Sequence, residues 1–455
     1  MERFSEEEIK YLSVELPEEI KFYKYAGDFD GELAAIARYS LRDMPHELRR
    51  RLYLESLIAA TMKDDYNLTG EDIIARVSEK YPHFGEAALG ICRERGFADF
   101  ILRGGKEYFQ NSAASNILGS CERYLRSLEG DTSEPEPNSF RTENIRIMKE
   151  RGSRSFRFRV RMSLTLSPEA EREGKTLRIH LPYARECEEQ SEVTFIASSD
   201  PAVISSVGQR TAYIETPCVT GKEYFVEYSY INRAVYREAD PAKVTKELPD
   251  GDFLSEKGPH IVFTPYLRAL AASIAGEEKN PLLLARRVYM WIAENVSYSY
   301  MRHYFCLENI AENAALSRRG DCGVQALLFI TLCRILGVPA RWQSGCSIRP
   351  GHFGDHDWAQ FYVAPYGWLY ADPSYGGSAY RVGDTEALEY YFCNLDCFRL
   401  VANSEFQSPF NPPKAYIRRD PYDNQDGEAE YSDEGLFFGQ VRNEKKLFVK
   451  RLHQW

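Results

Sequence analysis

The spacing of apolar residues changes twice along the chain, and this change constrains the fold more than any other feature. Up to about residue 130 apolar residues recur at helical spacing, as in Ile73, Val77 and Tyr81. Between about 140 and 250 they alternate with polar residues, which is the period of a half-buried strand. From about 260 helical spacing returns, followed by further strand-like runs. Since 455 residues exceed the usual size of one domain, we predict a multidomain α+β protein.

Four segments follow from these changes. Residues 1–130 are predicted to form an N-terminal helical domain, with Thr69 and Asp72 as a capping box at the start of one helix. Residues 140–250 are predicted to form an antiparallel β sandwich or barrel, in which the run from Phe156 to Leu166 is the clearest strand. The polar stretch from Asp131 to Asn138 is predicted to link the two domains. Residues 260–405 are predicted to form an α+β domain, and residues 406–455 a C-terminal extension with edge strands.

Charge and composition exclude several classes of protein. The formal net charge of -11 has the wrong sign for a protein that coats nucleic acid or an anionic membrane. The N-terminus is acidic and no run of about 18 apolar residues occurs, so we predict a cytoplasmic protein without a membrane partner. The ten cysteines lack zinc spacing, and we predict no metal and no cofactor. One late acidic cluster lacks the spacing of a calcium loop and is interpreted as a solvated loop; it consists of Asp423, Asp426, Glu428 and Glu430.

Three residues in the predicted α+β domain at 260–405 have the order and the local structure that thiol catalysis needs. Cys322 lies at the first turn of an apolar helix, where the helix dipole favours the thiolate. His356 begins a predicted strand, and Asp372 ends the next one. Neighbouring antiparallel strands can present His356 and Asp372 side by side, opposite the helix start, as a base and its orienting carboxylate. Each residue alone has an ordinary structural explanation, but their joint occurrence favours a catalytic site.

The motifs around these residues resemble the transglutaminase-like superfamily, a relative of the papain-like thiol hydrolases. The resemblance covers about residues 280–377, roughly a fifth of the chain. It rests on Asn295 and Tyr298, Gly320 and Cys322 with Ala326, Gly337 to Arg341, His356 and Trp358, Gly367 and Trp368, and Asp372 with Pro373. It implies a papain-like α+β catalytic domain at 260–405 with Cys322, His356 and Asp372 as the triad.

The same resemblance suggests further site residues. The backbone amide of Cys322 and the hydroxyl of Tyr298, with Tyr300 as its substitute, are expected to bind the oxyanion. Gln325 and Trp358 are candidates to line the site, although a helix-surface amide and a packing residue explain them equally well. Gly323 and Val324 follow Cys322. They replace the Trp of animal cross-linking transglutaminases and the Gly-Glu-Trp of peptide N-glycanases, so neither substrate is carried over.

Together these features predict a cysteine-dependent hydrolase of peptide or isopeptide amide bonds, acting through a thioester on a protein or peptide substrate. Two alternatives stay open. One is a protein-glutamine acyltransferase that uses the same triad but a lysine amine in place of water. The other is a binding or scaffold protein that has kept the fold without turnover. Neither the amide substrate nor the oligomeric state follows from the sequence.

Overall fold

The protein is seen as a computed structural model that describes residues 6–133, 137–349, 351–437 and 439–448. The predicted linker at 131–138 and the predicted strands near the C-terminus are therefore described only in part. Within the described ranges the α-helices are α1 (Glu18–Tyr25), α2 (Phe29–Ser40), α3 (His46–Asp65), α4 (Gly70–Ser78), α5 (Glu86–Glu94), α6 (Ala113–Ser120), α7 (Glu122–Leu128), α8 (Ser139–Arg151), α9 (Pro265–Ala275), α10 (Pro281–Asn295), α11 (Ile310–Ser317), α12 (Cys322–Ile335), α13 (Pro373–Arg381) and α14 (Thr385–Tyr390).

The described strands fall into five sheets. They are β1 (Tyr66–Leu68), β2 (Phe100–Arg103), β3 (Lys106–Gln110), β4 (Ser153–Leu166), β5 (Thr176–Pro182), β6 (Gln190–Ser198), β7 (Ala202–Ile204), β8 (Thr211–Pro217), β9 (Tyr224–Val235), β10 (Ser297–Tyr298), β11 (Arg319–Gly320), β12 (Ala340–Arg349), β13 (His352–Val363), β14 (Gly367–Ala371), β15 (Phe392–Cys393), β16 (Arg399–Asn403), β17 (Glu428–Tyr431) and β18 (Val441–Leu447). The chain is thus a mixed α/β protein with several sheets.

The N-terminal segment is mainly helical but also contains a small sheet. Helix α4 begins with the capping box of Thr69 and Asp72, in which each side chain bonds the backbone of the other residue. Strands β1, β3 and β2 form an antiparallel sheet that the helical prediction did not include. These strands have three to five residues each, too few for an alternating pattern to stand out in the sequence.

The middle of the chain forms two four-stranded antiparallel sheets, with strand orders β17-β5-β8-β7 and β18-β4-β9-β6. The predicted alternation is visible in β4, where Phe156, Phe158 and Val160 are buried. Strands β17 and β18, from the last part of the described chain, each add one edge to a sheet. The segment that begins at residue 140 also contains most of α8, which the predicted β domain did not foresee.

The sheet that positions the candidate site has the strand order β15-β14-β13-β12-β16. Strand β12 pairs with β13 along the whole length of β12, and the register is unbroken from Ala340 opposite Phe361 to Arg349 opposite His352. Strand β14 pairs with β13 only from Ala359 onward. Helix α12, which is buried along almost all of its length, packs against β12 and β13. Across the described residues, no helix has both the length and the apolar character that a membrane crossing requires.

Candidate active site

Cys322 is the first residue of α12 and is 7% exposed. The preceding residue, Asp321, caps the helix by accepting a hydrogen bond from the Val324 backbone at 3.0 Å. The Cys322 Sγ atom lies 3.3 Å from Oδ2 of Asp357 on β13, within hydrogen-bond distance. Helix α12 therefore presents its first side chain to the middle of β13.

Gly323 allows this close approach of helix and strand. A Cβ atom at position 323 would lie 2.7 Å from Asp357 Oδ2 and 3.0 Å from the Trp342 ring, and closer still to the Tyr304 hydroxyl. Any larger residue after Cys322 would have to displace these side chains. The packing thus accounts for the absence of a tryptophan at this position.

The charge state of Cys322 differs from the one expected of a helix start. Burial raises the pKa of the Cys322 thiol well above its usual value, and the neighbouring carboxyl groups of Asp357 and Asp321 raise it further when they ionise. The sequence predicted a thiolate from the helix start, with His356 as its partner. That prediction is wrong for this arrangement, because desolvation and two neighbouring carboxyl groups outweigh the dipole.

His356 and Asp372 lie side by side on β13 and at the end of β14. His356 Nε2 is 2.7 Å from Asp372 Oδ2, and both residues are buried. Burial lowers the pKa of His356, although the charge of Asp372 opposes this effect, so the imidazole is neutral at neutral pH. Burial alone would raise the pKa of Asp372, but the charges of His356 and Arg399 overcome it and hold that pKa at about 2.

Arg399 on β16 completes this buried group. Its Nη2 atom lies 2.9 Å from Asp372 Oδ2 and 2.9 Å from Asp396 Oδ2. The guanidinium also lies 4.7 Å from the centre of the Tyr375 ring, which in turn packs 4.4 Å from the imidazole of His356. With the Trp358 ring at 5.1 Å as a second aromatic face, two carboxylates and two aromatic rings hold a single positive charge next to the predicted base.

The structure brings Cys322 to Asp357 and His356 to Asp372, but it does not join Cys322 to His356 by a hydrogen bond. His356 and Asp357 are consecutive in an unbroken part of β13, so their side chains leave the strand on opposite faces. The backbone N–H of Asp357 also faces the sulfur, which places Sγ near the strand backbone. Catalytic hydrogen bonds are often long or absent before substrate binds. The triad therefore stays a prediction.

A cavity of about 320 Å³ opens beside Cys322. Tyr298 and Tyr300, the predicted oxyanion donors, line it, and Tyr300 is 51% exposed. The other two candidates lie elsewhere. Gln325 is buried and donates to the Gly320 carbonyl at 2.8 Å. Trp358 is buried and donates to Gln343 at 2.6 Å, so the structure gives it a packing environment.

One wall of the cavity comes from the acidic segment that the sequence analysis interpreted as a solvated loop. That interpretation is wrong, because Asp423, Glu428 and Glu430 are each no more than 3% exposed. Glu428 lies 2.9 Å from Lys414 Nζ and 3.0 Å from Arg418 Nε. These two buried cations allow the Glu428 carboxylate to leave water.

The helical N-terminal segment reaches the opposite wall. Asn116 on α6 donates to the Tyr300 carbonyl at 3.1 Å and accepts from the Tyr300 backbone N–H at 2.6 Å. Ser120 at the end of the same helix donates to the Tyr298 carbonyl at 2.6 Å. Three backbone groups of the cavity wall are thus bonded by side chains that come from almost 200 residues earlier in the chain.

Sequence reasoning missed Asp357, Arg399 and Asn116. Asp357 stands between His356 and Trp358 in the recognised motif, but nothing in the motif says which of two neighbouring residues faces the helix. Arg399 and Asn116 lie outside the resembling region and carry no local signal. Among the described residues no group of three or more His, Cys, Asp or Glu is arranged to hold a metal ion.

Comparison with protein families assigns this region. The model of the transglutaminase-like superfamily matches residues 268–373, which include α10, α12 and strands β12 to β14. The chain carries a transglutaminase-like domain. The match contains all three residues of the predicted triad and stops short of Arg399. No curated protein matches the chain.

Solved structures show only a distant likeness to the chain. A proposed cysteine protease of Cytophaga hutchinsonii is 18% identical, with a TM-score of 0.40 over 66% of this chain and 93% of the other. The periplasmic domain of TgpA from Pseudomonas aeruginosa is 16% identical, with a TM-score of 0.26 over 56% of this chain and 98% of the other. The assignment of the transglutaminase-like domain therefore rests on the sequence match.

Proposed function

We propose that the protein is a cysteine-dependent hydrolase that cleaves peptide or isopeptide amide bonds through a thioester. The observation that carries the proposal is the buried His356–Asp372 pair on strands next to the helix that begins with Cys322, all within the transglutaminase-like domain. A neutral imidazole held by an ionised carboxylate is the form that accepts a proton from a thiol.

In the proposed reaction His356 takes the thiol proton, and Cys322 Sγ forms a bond to the carbonyl carbon of the amide. The leaving amine then receives that proton from His356 as the carbon–nitrogen bond breaks. The first step requires Sγ to come within hydrogen-bond distance of His356, because in the structure Sγ contacts Asp357 instead. Water then cleaves the thioester.

Hydrolysis, rather than transfer to an amine, is favoured by the lining of the cavity. Carboxyl groups such as those of Asp321, Asp420 and Asp426 line it together with Cys322. Such a surface admits water, and a wetted thioester reacts with water because bulk water is far more concentrated than any amine. The proposed products are therefore a carboxylic acid and a free amine.

The experiment incubates the protein with a library of peptide and isopeptide amides, with and without a millimolar primary amine, and quantifies acid and amide products. We expect acid products that disappear in Cys322→Ala and His356→Ala. Cys187→Ala, which removes a thiol from outside the matched region, is the control and should retain turnover. Full turnover by Cys322→Ala would refute the proposal, and predominant amine incorporation would favour the acyltransferase.

A further inference from the structure

Asp357 contacts the nucleophile with one oxygen and is held in place by the other. Oδ2 lies 3.3 Å from Cys322 Sγ, and Oδ1 accepts a hydrogen bond from Gln425 Nε2 at 2.7 Å. The residue is 5% exposed. The carboxyl group is thus fixed, and the oxygen without an amide donor is the one that faces the sulfur.

The surroundings of Asp357 favour the neutral carboxylic acid. At the start of α12 it faces the capping residue Asp321 and Cys322, and in the segment after β16 it faces Asp423. Tyr298 and Tyr304 face it from the segment before α11. Within the described part of the chain, neither Lys nor Arg forms an ion pair with it. Burial raises the pKa of Asp357 well above its usual value, and the negative charge of Asp423 raises it further.

The position of the proton follows from the hydrogen bonds. Oδ1 accepts the Gln425 N–H, so in the neutral acid Oδ1 acts as the carbonyl oxygen and Oδ2 carries the hydroxyl hydrogen. Oδ2 lies 3.3 Å from Sγ, so a proton on Oδ2 is within reach of a carbonyl oxygen that approaches the sulfur. A buried acid that stays neutral at neutral pH can donate a hydrogen bond to developing negative charge.

We propose that Asp357 is a further catalytic residue, whose Oδ2–H donates a hydrogen bond to the oxyanion formed when Cys322 attacks the amide. The proposal rests on the proposed function, since it needs that attack. As the sulfur–carbon bond forms, the electron pair of the carbonyl double bond moves to oxygen, next to Oδ2–H. When the oxyanion collapses, the carbon–nitrogen bond breaks and the amine leaves with the proton from His356. Asp357 keeps its own proton throughout.

Two substitutions of Asp357 distinguish a hydrogen-bond donor from a group that acts through its negative charge or its packing. Asp357→Asn keeps the shape and a neutral N–H donor, so we expect kcat within about tenfold of wild type. Asp357→Ala removes the donor, and kcat should fall about 10²-fold to 10³-fold with little change in KM. Asp433→Asn removes an exposed carboxylate and controls for the loss of one acidic group. Wild-type kcat by Asp357→Ala, or equal losses in both Asp357 variants, overturns the proposal.

The pH dependence gives a readout that a structural role would not change. In wild type the turnover should fall at alkaline pH as Asp357 loses its proton, and this fall should be absent in Asp357→Asn. The other groups that face Asp357, namely Asp321, Asp423, Tyr298 and Tyr304, are present in both proteins, so they do not account for a difference between the two pH profiles. An identical alkaline fall in both proteins contradicts the assignment.

A third measurement does not depend on turnover. The infrared spectrum of wild type minus that of Asp357→Asn at pH 7 should contain the C=O band of a carboxylic acid. If the difference spectrum contains carboxylate bands but no carboxylic-acid band, the proposal is overturned, whatever reaction Cys322 performs. Conversely, an acid band in a protein whose Cys322→Ala variant keeps full turnover would refute the proposed function and, with it, the role of Asp357 in that reaction.

Discussion

Replacing Arg399 by methionine tests the electrostatic balance of the buried group around His356. The substitution keeps a long side chain but leaves Asp372 and Asp396 without their shared cation. Asp372 has a native pKa of about 2, against 3.8 for an ordinary aspartate, so its ionised form contributes about 2 kcal/mol to folding at neutral pH. This contribution is present above pH 3.8 and is lost as the pH falls through about 2.

Removal of one partner from a buried ion pair costs about 3–5 kcal/mol, because the other charge stays buried. We therefore expect Arg399→Met to lower the free energy of unfolding by that amount at pH 7. For a cooperative unit of 150–250 residues, each kcal/mol lowers Tm by about 2–4 °C. The loss of a nearby positive charge should also raise the pKa of His356, since the Arg399 charge lowers it in the native protein.

Urea denaturation and thermal melts of wild type and Arg399→Met measure the stability change. Arg146→Met is the matched control, because Arg146 is exposed and pairs only with exposed glutamates on its own helix. Its effect should be below about 0.5 kcal/mol. In the Arg399→Met background, Asp396→Asn removes one of the two carboxylates that have lost their cation. It should recover part of the lost free energy of unfolding. A urea midpoint of Arg399→Met equal to that of wild type would refute the reasoning.

Two further predictions concern Asp372 and two buried histidines. Asp372→Asn should lower kcat by up to about 10⁴-fold and leave a measurable rate, because it orients His356 without touching substrate; abolition equal to Cys322→Ala in steady-state assays would contradict this. His180 and His260 have native pKa values of about 3, lowered mainly by burial, so the unfolded chain binds their protons first as the pH falls below 6.5. From about pH 5.5 down to about 3, where these sites are protonated in the unfolded chain and neutral in the native protein, each should cost about 1.4 kcal/mol of stability per pH unit, and urea midpoints for His260→Gln should fall less steeply than for wild type.

The sequence predicted the parts of the site that depend on local pattern. A run of apolar residues after Cys322 indicated a helix start, and alternating residues around His356 and before Asp372 indicated neighbouring strands. These features depend on a few adjacent residues, and the structure contains the helix and both strands, although β13 begins at His352, so His356 lies within the strand and not at its start. The pairing of His356 with Asp372 followed from the antiparallel arrangement alone.

The parts that sequence reasoning could not supply depend on how distant elements pack. The position of the whole helix α12 over the sheet determines which face of β13 it meets. Asp357 contacts Cys322 because its side chain leaves β13 on that face. The burial of Asp423 depends on Ser344 and Asn403, which donate to it from β12 and β16. No local window contains both a carboxylate and the partners that let it leave water.

The bonds from Asn116 and Ser120 to Tyr300 and Tyr298 limit how far the site can be separated from the rest of the chain. A fragment that spans only the transglutaminase-like domain would retain Cys322, His356 and Asp372. It would nevertheless leave two carbonyl groups and one N–H of the cavity wall without their donors and acceptor. Water can replace those partners only if the wall moves outward to meet it. The smallest unit that preserves this cavity therefore includes α6, and domain exchange between relatives would have to transfer both segments together.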